Sequence, residues 1–172
     1  MQSPNVEHHK YLQLALTEAE KCQPTPTAFC VGCVLVAHPE SNDPVVLSTG
    51  YSRELPGNTH AEANALSKFH AIPLSELVSR FPSLGSPSSH SEILTQVDVY
   101  TTMEPCSTRT SGLAPCADAL IVAKVKRCFI GVGEPEDFVH CEGAQKLKHA
   151  GVEVVWLKGL EDECLKVARR GH

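Results

Sequence analysis

The sequence predicts an α/β domain built on one mixed sheet, because short apolar runs alternate with helical patterns along the chain. Two valine-rich runs, 29–37 and 45–51, are joined by a short turn and are predicted to pair as a hairpin. Three further runs, 96–102, 127–132 and 152–157, are separated from one another by helical patterns, which favours parallel strands in the second half. The prediction is therefore a five-stranded sheet covered by helices.

Apolar spacing and helix-ending residues predict five helices. In the first, Leu12, Ala15 and Ala19 recur at helical spacing, and Pro24 follows soon after its end. Gly151 follows another helix, where glycine suits the helix terminus. The predicted helices are 6–22, about 60–69, 117–125, 142–150 and 161–169.

The segment at about 72–95 is rich in Ser, Pro and Gly and has little periodicity. We expect an insertion that crosses the surface with at most one short helix, and not a domain boundary. A chain of 172 residues suits one hydrophobic core better than two. Residues 1–172 are therefore predicted to form a single domain.

Composition limits the partners and the compartment. The net charge is −5, and no Lys/Arg cluster is longer than a pair, which argues against a nucleic-acid substrate. No apolar run approaches the ~20 residues that span a bilayer, and the first ten residues lack an apolar signal region. We therefore expect no membrane partner and a cytoplasmic protein, with the nucleus as an additional location. Most of the eight cysteines are then expected to be buried thiols.

The residues with the clearest chemistry are a histidine, a glutamate and two cysteines. His60 and Glu62 open a predicted helix, Cys106 follows a predicted strand, and Cys116 opens a second helix. Catalytic zinc sites use three protein ligands and leave a fourth position open to water, whose pKa falls to near neutrality there. Helix N-termini favour thiolates, and a carboxylate beside the metal can move protons. This pattern favours zinc held by the histidine and the cysteines.

Each part of the pattern also has an ordinary explanation. Thr59 and Glu62 have the spacing of a capping box, and Cys106 and Cys116 could be small core residues. What favours the metal site is the combination: a histidine and glutamate at one helix start, then a strand, a Glu-Pro-Cys turn and a cysteine at a second helix start. This combination is typical of zinc nucleobase deaminases.

The segments around these residues resemble the cytidine-deaminase-like superfamily. The resemblance is carried by 60–63 and 101–107 and extends from about 31 to 155. Within the superfamily, the chain is most similar to the pyrimidine deaminases of riboflavin biosynthesis in their fungal form. The features that narrow it are 50–59, 130–139 and 150–154, together with the nine residues between Cys106 and Cys116. Other members mostly have two residues between their cysteines.

The resemblance implies a three-layer α/β/α sandwich with a mixed five-stranded sheet and a zinc ion as cofactor. It implies that His60, Cys106 and Cys116 hold the zinc and that Glu62 shuttles protons. The implied reaction is hydrolytic deamination of a phosphorylated 2,5-diamino-6-ribitylamino-4(3H)-pyrimidinone, with release of ammonia. In the fungal pathway, the side chain is expected to be reduced before this deamination. A homodimer is likewise implied by the resemblance alone.

Substrate contacts are predicted less directly. Bacterial relatives have an asparagine near the position of Ala28, so ring recognition must come from elsewhere. The candidates are Asn58 and Thr59 beside the metal ligand, and the backbone N–H groups of Ala61 and Cys106.

The substrate phosphate requires a cation or a helix N-terminus. Arg53 and Arg109 lie in the two loops that border the predicted site, and each is a candidate against the alternative of a solvated loop arginine. Glu104 is expected to orient the Pro-Cys turn more than to react. Four other histidines are expected at the surface: His70, His90, His140 and His149.

Two other functions compete with this interpretation. A tRNA or nucleoside/nucleotide deaminase, acting on cytidine or adenosine, would share the chemistry but predicts a basic flank, which the charge pattern does not supply. A catalytically silent zinc-binding partner subunit predicts loss of the glutamate, and Glu62 is present.

Overall fold

A five-stranded mixed sheet forms the centre of the molecule. The structure, a computed structural model, describes residues 4–39, 43–109, 111–135 and 141–172. The strand order is β2-β1-β3-β4-β5, with β1 antiparallel to β2 and β3, and with β3, β4 and β5 mutually parallel. The predicted strands and the parallel second half are confirmed. The strands are β1 Gly32–Ala37, β2 Val45–Tyr51, β3 Val97–Met103, β4 Arg127–Val132 and β5 Glu153–Trp156.

Helices cover both faces of the sheet, as the three-layer prediction requires. The helices in the described residues are α1 Pro4–Glu20, α2 Ala61–Ala71, α3 Leu74–Arg80, α4 His90–Leu94, α5 Cys116–Ala123, α6 Gly143–His149 and α7 Glu161–Ala168. On one face, α1 and α7 enclose a core that includes Leu12, Tyr100 and Phe129. On the other face, α2, α5 and α6 enclose the larger core, which includes Leu35 and Leu120. None of the described helices combines the length and apolar character needed to cross a bilayer.

The close approach of α2 to β2 determines where the site residues lie. A Cβ atom on Gly50 in β2 would stand 2.3 Å from the carbonyl oxygen of Ala61 in the first turn of α2. Only glycine leaves room for this contact between strand and helix backbones. The first turn of α2, with Glu62, therefore lies directly against the sheet.

The segment at 72–95 is more ordered and more buried than the sequence predicted. It contains α3, a 3-10 turn at Pro82–Leu84 and α4. Leu77, Ile93 and Leu94 are at most 2% exposed and belong to the larger core. The expectation of one short helix is therefore wrong, whereas most residues of the segment are exposed or half-buried, as expected of a surface insertion. Too few apolar positions recur in this segment for periodicity to reveal two such short helices.

Candidate active site

The three predicted metal ligands converge beyond the carboxyl end of β3, the central strand. His60 is the residue before α2, Cys106 follows the Glu-Pro turn after β3, and Cys116 is the first residue of α5. The Nδ1 atom of His60 lies 3.5 Å from the Sγ atoms of both Cys106 and Cys116. All three donor atoms lie within 4.8 Å of one another, so the three residues form a metal-binding cluster.

The spacing of the donor atoms fits a tetrahedral zinc ion. Zinc binds histidine nitrogen at about 2.0–2.1 Å and thiolate sulfur at about 2.3 Å, which at tetrahedral angles separates nitrogen from sulfur by roughly 3.5 Å. Both nitrogen–sulfur separations in the cluster have this value. One imidazole and two thiolates also leave the fourth position of a catalytic zinc site open.

The surroundings of Cys106 stabilise a thiolate. Hydrogen bonding from the Cys116 thiol lowers the pKa of Cys106 to about 4, although burial opposes this shift, and His60 adds to it. The backbone N–H of Cys116, at the start of α5, donates to Cys106 Sγ at 3.2 Å. The pKa of Cys116 is raised because its thiol donates to its neighbour. The Cys106 sulfur therefore carries the negative charge that would attract a metal cation to the pair.

Glu62 lies beside the ligand cluster in a buried position. Its side chain is 3% exposed in the first turn of α2. The Thr101 hydroxyl contacts its Oε1 atom at 3.0 Å. Burial raises the pKa of Glu62, and the charge of Cys106 raises it further. A carboxylate whose pKa is raised in this way accepts a proton more readily than an ordinary surface carboxylate.

The capping box that the spacing of Thr59 and Glu62 allows does not form at the start of α2. The residue that precedes α2 is His60, which makes no side-chain capping bond. The Thr59 hydroxyl donates instead to the carbonyl of Leu55 at 2.9 Å, and Glu62 faces Thr101. The side chain of Asn64 donates to Tyr51 O at 2.8 Å and to Thr59 Oγ1 at 3.0 Å. Asn64 thus ties the loop at 52–59 to α2, a role that local spacing did not reveal.

A cavity of about 340 Å³ opens onto the ligand cluster and contains most of the predicted substrate contacts. Asn58 and Thr59 line it, and Ala28 lies on its wall. Ala61 is fully buried behind it. The lining also includes Glu134, which the sequence analysis did not single out and whose pKa is raised by burial. The residues that line the cavity include Ala28, Phe29, Arg53, Asn58, Thr59, His60, Glu62, Glu104, Cys106, Arg109, Glu134 and Cys141.

The two predicted phosphate-binding arginines differ in their contacts. The Arg53 guanidinium donates to Phe29 O at 3.2 Å and to Gln23 O at 2.9 Å, and lies 2.8 Å from Cys22 Sγ. Arg53 also has a left-handed backbone, with φ of 62°. Arg109 donates to Asn58 O at 2.7 Å from one nitrogen. Arg53 therefore connects two loops at the rim, whereas Arg109 makes one hydrogen bond to the protein within the part of the chain that the structure describes.

Glu104 has the orienting position that the sequence predicted. Its Oε1 atom accepts a hydrogen bond from the backbone N–H of Ala144, in the first turn of α6, at 2.9 Å. The backbone N–H of Glu104 donates to Val132 O at 2.9 Å. Glu104 thus connects the turn that carries Cys106 to both β4 and α6.

His70, His90 and His149 are not among the described residues that line the cavity. His70 and His149 are exposed, as predicted. His90 is half-buried, and its ring contacts the carbonyl of Ile72 at 2.8 Å. His140 and residues 136–139 of the segment used for the resemblance lie outside the described residues.

Known proteins are similar to this chain in both sequence and fold. Over 165 residues it is 42% identical to the diaminohydroxyphosphoribosylamino-pyrimidine deaminase of Schizosaccharomyces pombe, covering 96% of this chain and 36% of that protein. The chain spans about a third of the length of the curated relatives that it matches.

Two solved structures of the Rib2 deaminase of Aspergillus oryzae, both of a C-terminal deletion mutant, are similar. One gives a TM-score of 0.77 at 39% identity, covering 96% of this chain and 92% of that chain. The other, in complex with DARIPP, gives a TM-score of 0.76 at 38% identity, covering 96% and 91%.

Residues 5–132 match the family described as the cytidine and deoxycytidylate deaminase zinc-binding region. This range includes the three converging ligands and Glu62, and zinc is the metal that the family description names. The chain therefore belongs to the cytidine and deoxycytidylate deaminase zinc-binding family.

Proposed function

We propose that the chain is a zinc-dependent hydrolase of riboflavin biosynthesis. It removes an amino group from a phosphorylated 2,5-diamino-6-ribitylamino-4(3H)-pyrimidinone and releases ammonia. The observation that carries this proposal is the convergence of three zinc-fitting donor atoms and the buried Glu62 on one cavity. The substrate class is supported by the name of the Schizosaccharomyces pombe relative and by the DARIPP complex of the Aspergillus oryzae deaminase.

The site residues have distinct roles in this proposal. His60, Cys106 and Cys116 hold the zinc ion, which when bound supplies a Lewis acid that makes water nucleophilic near neutral pH. The Glu62 carboxylate takes one proton from the attacking water and delivers it to the pyrimidine ring nitrogen, as the water oxygen bonds to the carbon that carries the amino group. It then moves a second proton from the new hydroxyl group to the amino group, whose bond to carbon breaks to release ammonia. Its burial keeps bulk water from this carboxylate, which is 3% exposed.

The cavity walls recognise the rest of the substrate. Asn58, Thr59 and the backbone N–H groups of Ala61 and Cys106 are the proposed contacts of the pyrimidine ring. Arg109 is the preferred contact of the phosphate, because Arg53 already donates to Phe29 O and Gln23 O. Guanidinium groups bind phosphate through paired hydrogen bonds, which requires donors not already in use.

An ammonia-release assay on the zinc-loaded chain tests the proposal. The substrates are the ribityl and ribosyl forms of the diaminopyrimidinone phosphate, cytidine, and tRNA. We expect turnover of the ribityl form. Turnover of tRNA or cytidine alone would assign the chain to the competing class of deaminases. No turnover of any substrate by protein with a full complement of zinc would favour the silent partner subunit.

We further propose that the chain is a homodimer that works in the cytoplasm, with the nucleus as an additional location. Dimerisation is supported by exposed apolar side chains, since Val122 of α5 is 81% exposed and Leu113 is 55% exposed. A reducing compartment is supported by the free state of the cysteines. Light scattering on purified protein measures the mass, and a monomer would contradict the dimer.

A further inference from the structure

We propose that Thr101 is a positioning residue for Glu62. Its buried hydroxyl holds one oxygen of the Glu62 carboxylate against the sheet and leaves the other oxygen for the reacting groups. This inference rests on the proposed function, since it assigns the proton-transferring role to Glu62. Thr101 itself is not among the described residues that line the cavity.

The position of Thr101 is one where an apolar residue would be expected. It lies in the central strand β3 and is fully buried. Its register partners are Cys33 in β1 and Ile130 in β4, both fully buried members of the larger core. Residues opposite one another in a sheet share a face, so Thr101 projects into the same apolar layer. A hydroxyl in such a layer is unfavourable unless it is hydrogen-bonded, and valine of nearly the same shape would avoid this cost.

The contacts of the hydroxyl explain its presence. The Oγ1 atom lies 3.0 Å from Oε1 of Glu62 and 2.9 Å from the carbonyl oxygen of Met103. Glu62 is 39 residues away in sequence and belongs to a different layer. The contact therefore joins the sheet to the first turn of α2 at the buried Glu62 carboxylate beside the ligand cluster.

The Glu62 carboxylate depends on few donors. Within the described residues, the groups that hydrogen-bond to it include its own backbone N–H, the Thr101 hydroxyl and the Cys116 sulfur. A cysteine that binds zinc is a thiolate and has no hydrogen to donate. The Thr101 hydroxyl is then the side-chain donor that this carboxylate retains, and charge-assisted hydrogen bonds of this kind fix orientation.

The second contact of the Thr101 hydroxyl offers a purely structural explanation for its presence. The hydroxyl carries one hydrogen and contacts two acceptors, so it could serve only the carbonyl of Met103. In that case its loss would weaken the strand and leave Glu62 in place. The two explanations differ in what happens to the orientation of Glu62 and to the turnover of a folded, zinc-loaded variant.

The test compares Thr101→Val with Thr101→Ser. The valine variant removes the hydroxyl and keeps the shape, whereas the serine variant keeps the hydroxyl. For Thr101→Val we expect kcat to fall about 10- to 100-fold with KM nearly unchanged, because small displacements of a reacting group have effects of this size. Zinc content should equal that of the wild type, and a crystal structure should show the Glu62 side chain turned from its wild-type position. Thr101→Ser should restore most of kcat.

Thr102→Val is the matched control. Thr102 is the next residue of β3, is equally buried, and its hydroxyl accepts a hydrogen bond from the backbone N–H of Gly32 at 3.1 Å. Its loss should lower the melting temperature and leave kcat close to the wild-type value. This control has the same change of side chain in the same strand, on the opposite face of the sheet.

Three outcomes would overturn the inference. These are wild-type kcat in Thr101→Val, equal losses of kcat in the valine and serine variants, or a wild-type orientation of Glu62 in the valine variant. An inactive wild-type chain would instead contradict the proposed function, and the orientation of Glu62 in the two crystal structures would still decide the role of Thr101.

Discussion

Among single residues, Glu62 is the one whose replacement separates proton transfer from metal binding. It is buried beside the ligand cluster but is not one of the three ligands. Glu62→Gln keeps the shape and removes the basic oxygen, so we expect zinc content to be retained and kcat to fall by at least about 10²- to 10⁴-fold. Elemental analysis and ammonia release measure the two quantities. Loss of zinc from this variant would indicate a structural role, whereas Glu76→Gln, at an exposed carboxylate of α3, should change neither quantity.

The two arginines at the cavity provide a second test at this scale. Arg109→Ala should raise KM for the phosphorylated substrate about tenfold or more, because it removes a charged donor. It should lower the free energy of unfolding by less than Arg53→Ala does, because it removes one exposed hydrogen bond, to Asn58 O. Arg53→Ala should instead lower the free energy of unfolding by about 1–2 kcal/mol, because two carbonyl groups lose their donor. Steady-state kinetics and urea denaturation distinguish them, and the reverse pattern would make Arg53 the phosphate contact.

At the scale of elements, the start of α6 supports the turn that carries Cys106. A Cβ atom on Gly143 would stand 1.7 Å from the carbonyl oxygen of Pro105, so the helix begins in direct contact with this turn. The carboxylate of Glu104 accepts from the N–H of Ala144 in the same helical turn. The turn that carries Cys106 is therefore held in place by α6, a helix that contributes none of the three metal ligands.

Gly143→Ala tests this support. The added methyl group must displace the Pro105 carbonyl, so we expect a loss of about 1–3 kcal/mol in the free energy of unfolding and faster loss of zinc to a chelator. Gly133→Ala is the control, since the nearest atom to its added Cβ would be 3.8 Å away. Equal behaviour of the two variants would show that α6 does not hold the turn.

At the scale of the whole molecule, a buried ion pair joins three strands near the sheet end opposite the site. Asp98 of β3 is fully buried and accepts from Arg127 of β4 at 2.8 Å and 2.5 Å. The Nε2 atom of His38, after β1, lies 3.0 Å from Asp98 Oδ2. Burial alone would raise the pKa of Asp98, but the contacts with His38 and Arg127 outweigh it. The pKa therefore lies below its ordinary value of 3.8.

The lowered pKa of Asp98 predicts a pH dependence of stability. Because the unfolded chain binds this proton more readily, the stabilisation is present above pH 3.8 and is lost as the pH falls through the lower folded-state pKa. Asp98→Asn should lower the free energy of unfolding by about 2 kcal/mol at pH 7. Urea denaturation of both proteins at neutral and acid pH should show this difference shrinking in acid. A difference that is constant with pH would contradict the charge-based explanation.

The five strands, the parallel second half and the three residues of the metal-binding cluster could all be predicted from the sequence. Periodicity within a segment reflects which side chains are buried, and a histidine and two cysteines at helix and strand ends have a specific coordination chemistry. These signals are local, so spacing along the chain is sufficient to detect them. The resemblance to a known superfamily then added the reaction.

The contacts made by the neighbours of those residues could not be predicted from spacing, because they depend on how the elements pack. Thr101 contacts Glu62 across 39 positions, Asn64 connects to Tyr51 across 13, and the Arg53 guanidinium reaches Phe29 across 24. Leu77 and Ile93 are buried although their segment has no clear period. These outcomes depend on contacts between distant segments, and such contacts form only once the sheet and helices have packed. The metal site could therefore be predicted from residue types, whereas the orientation of the Glu62 carboxylate depends on the fold.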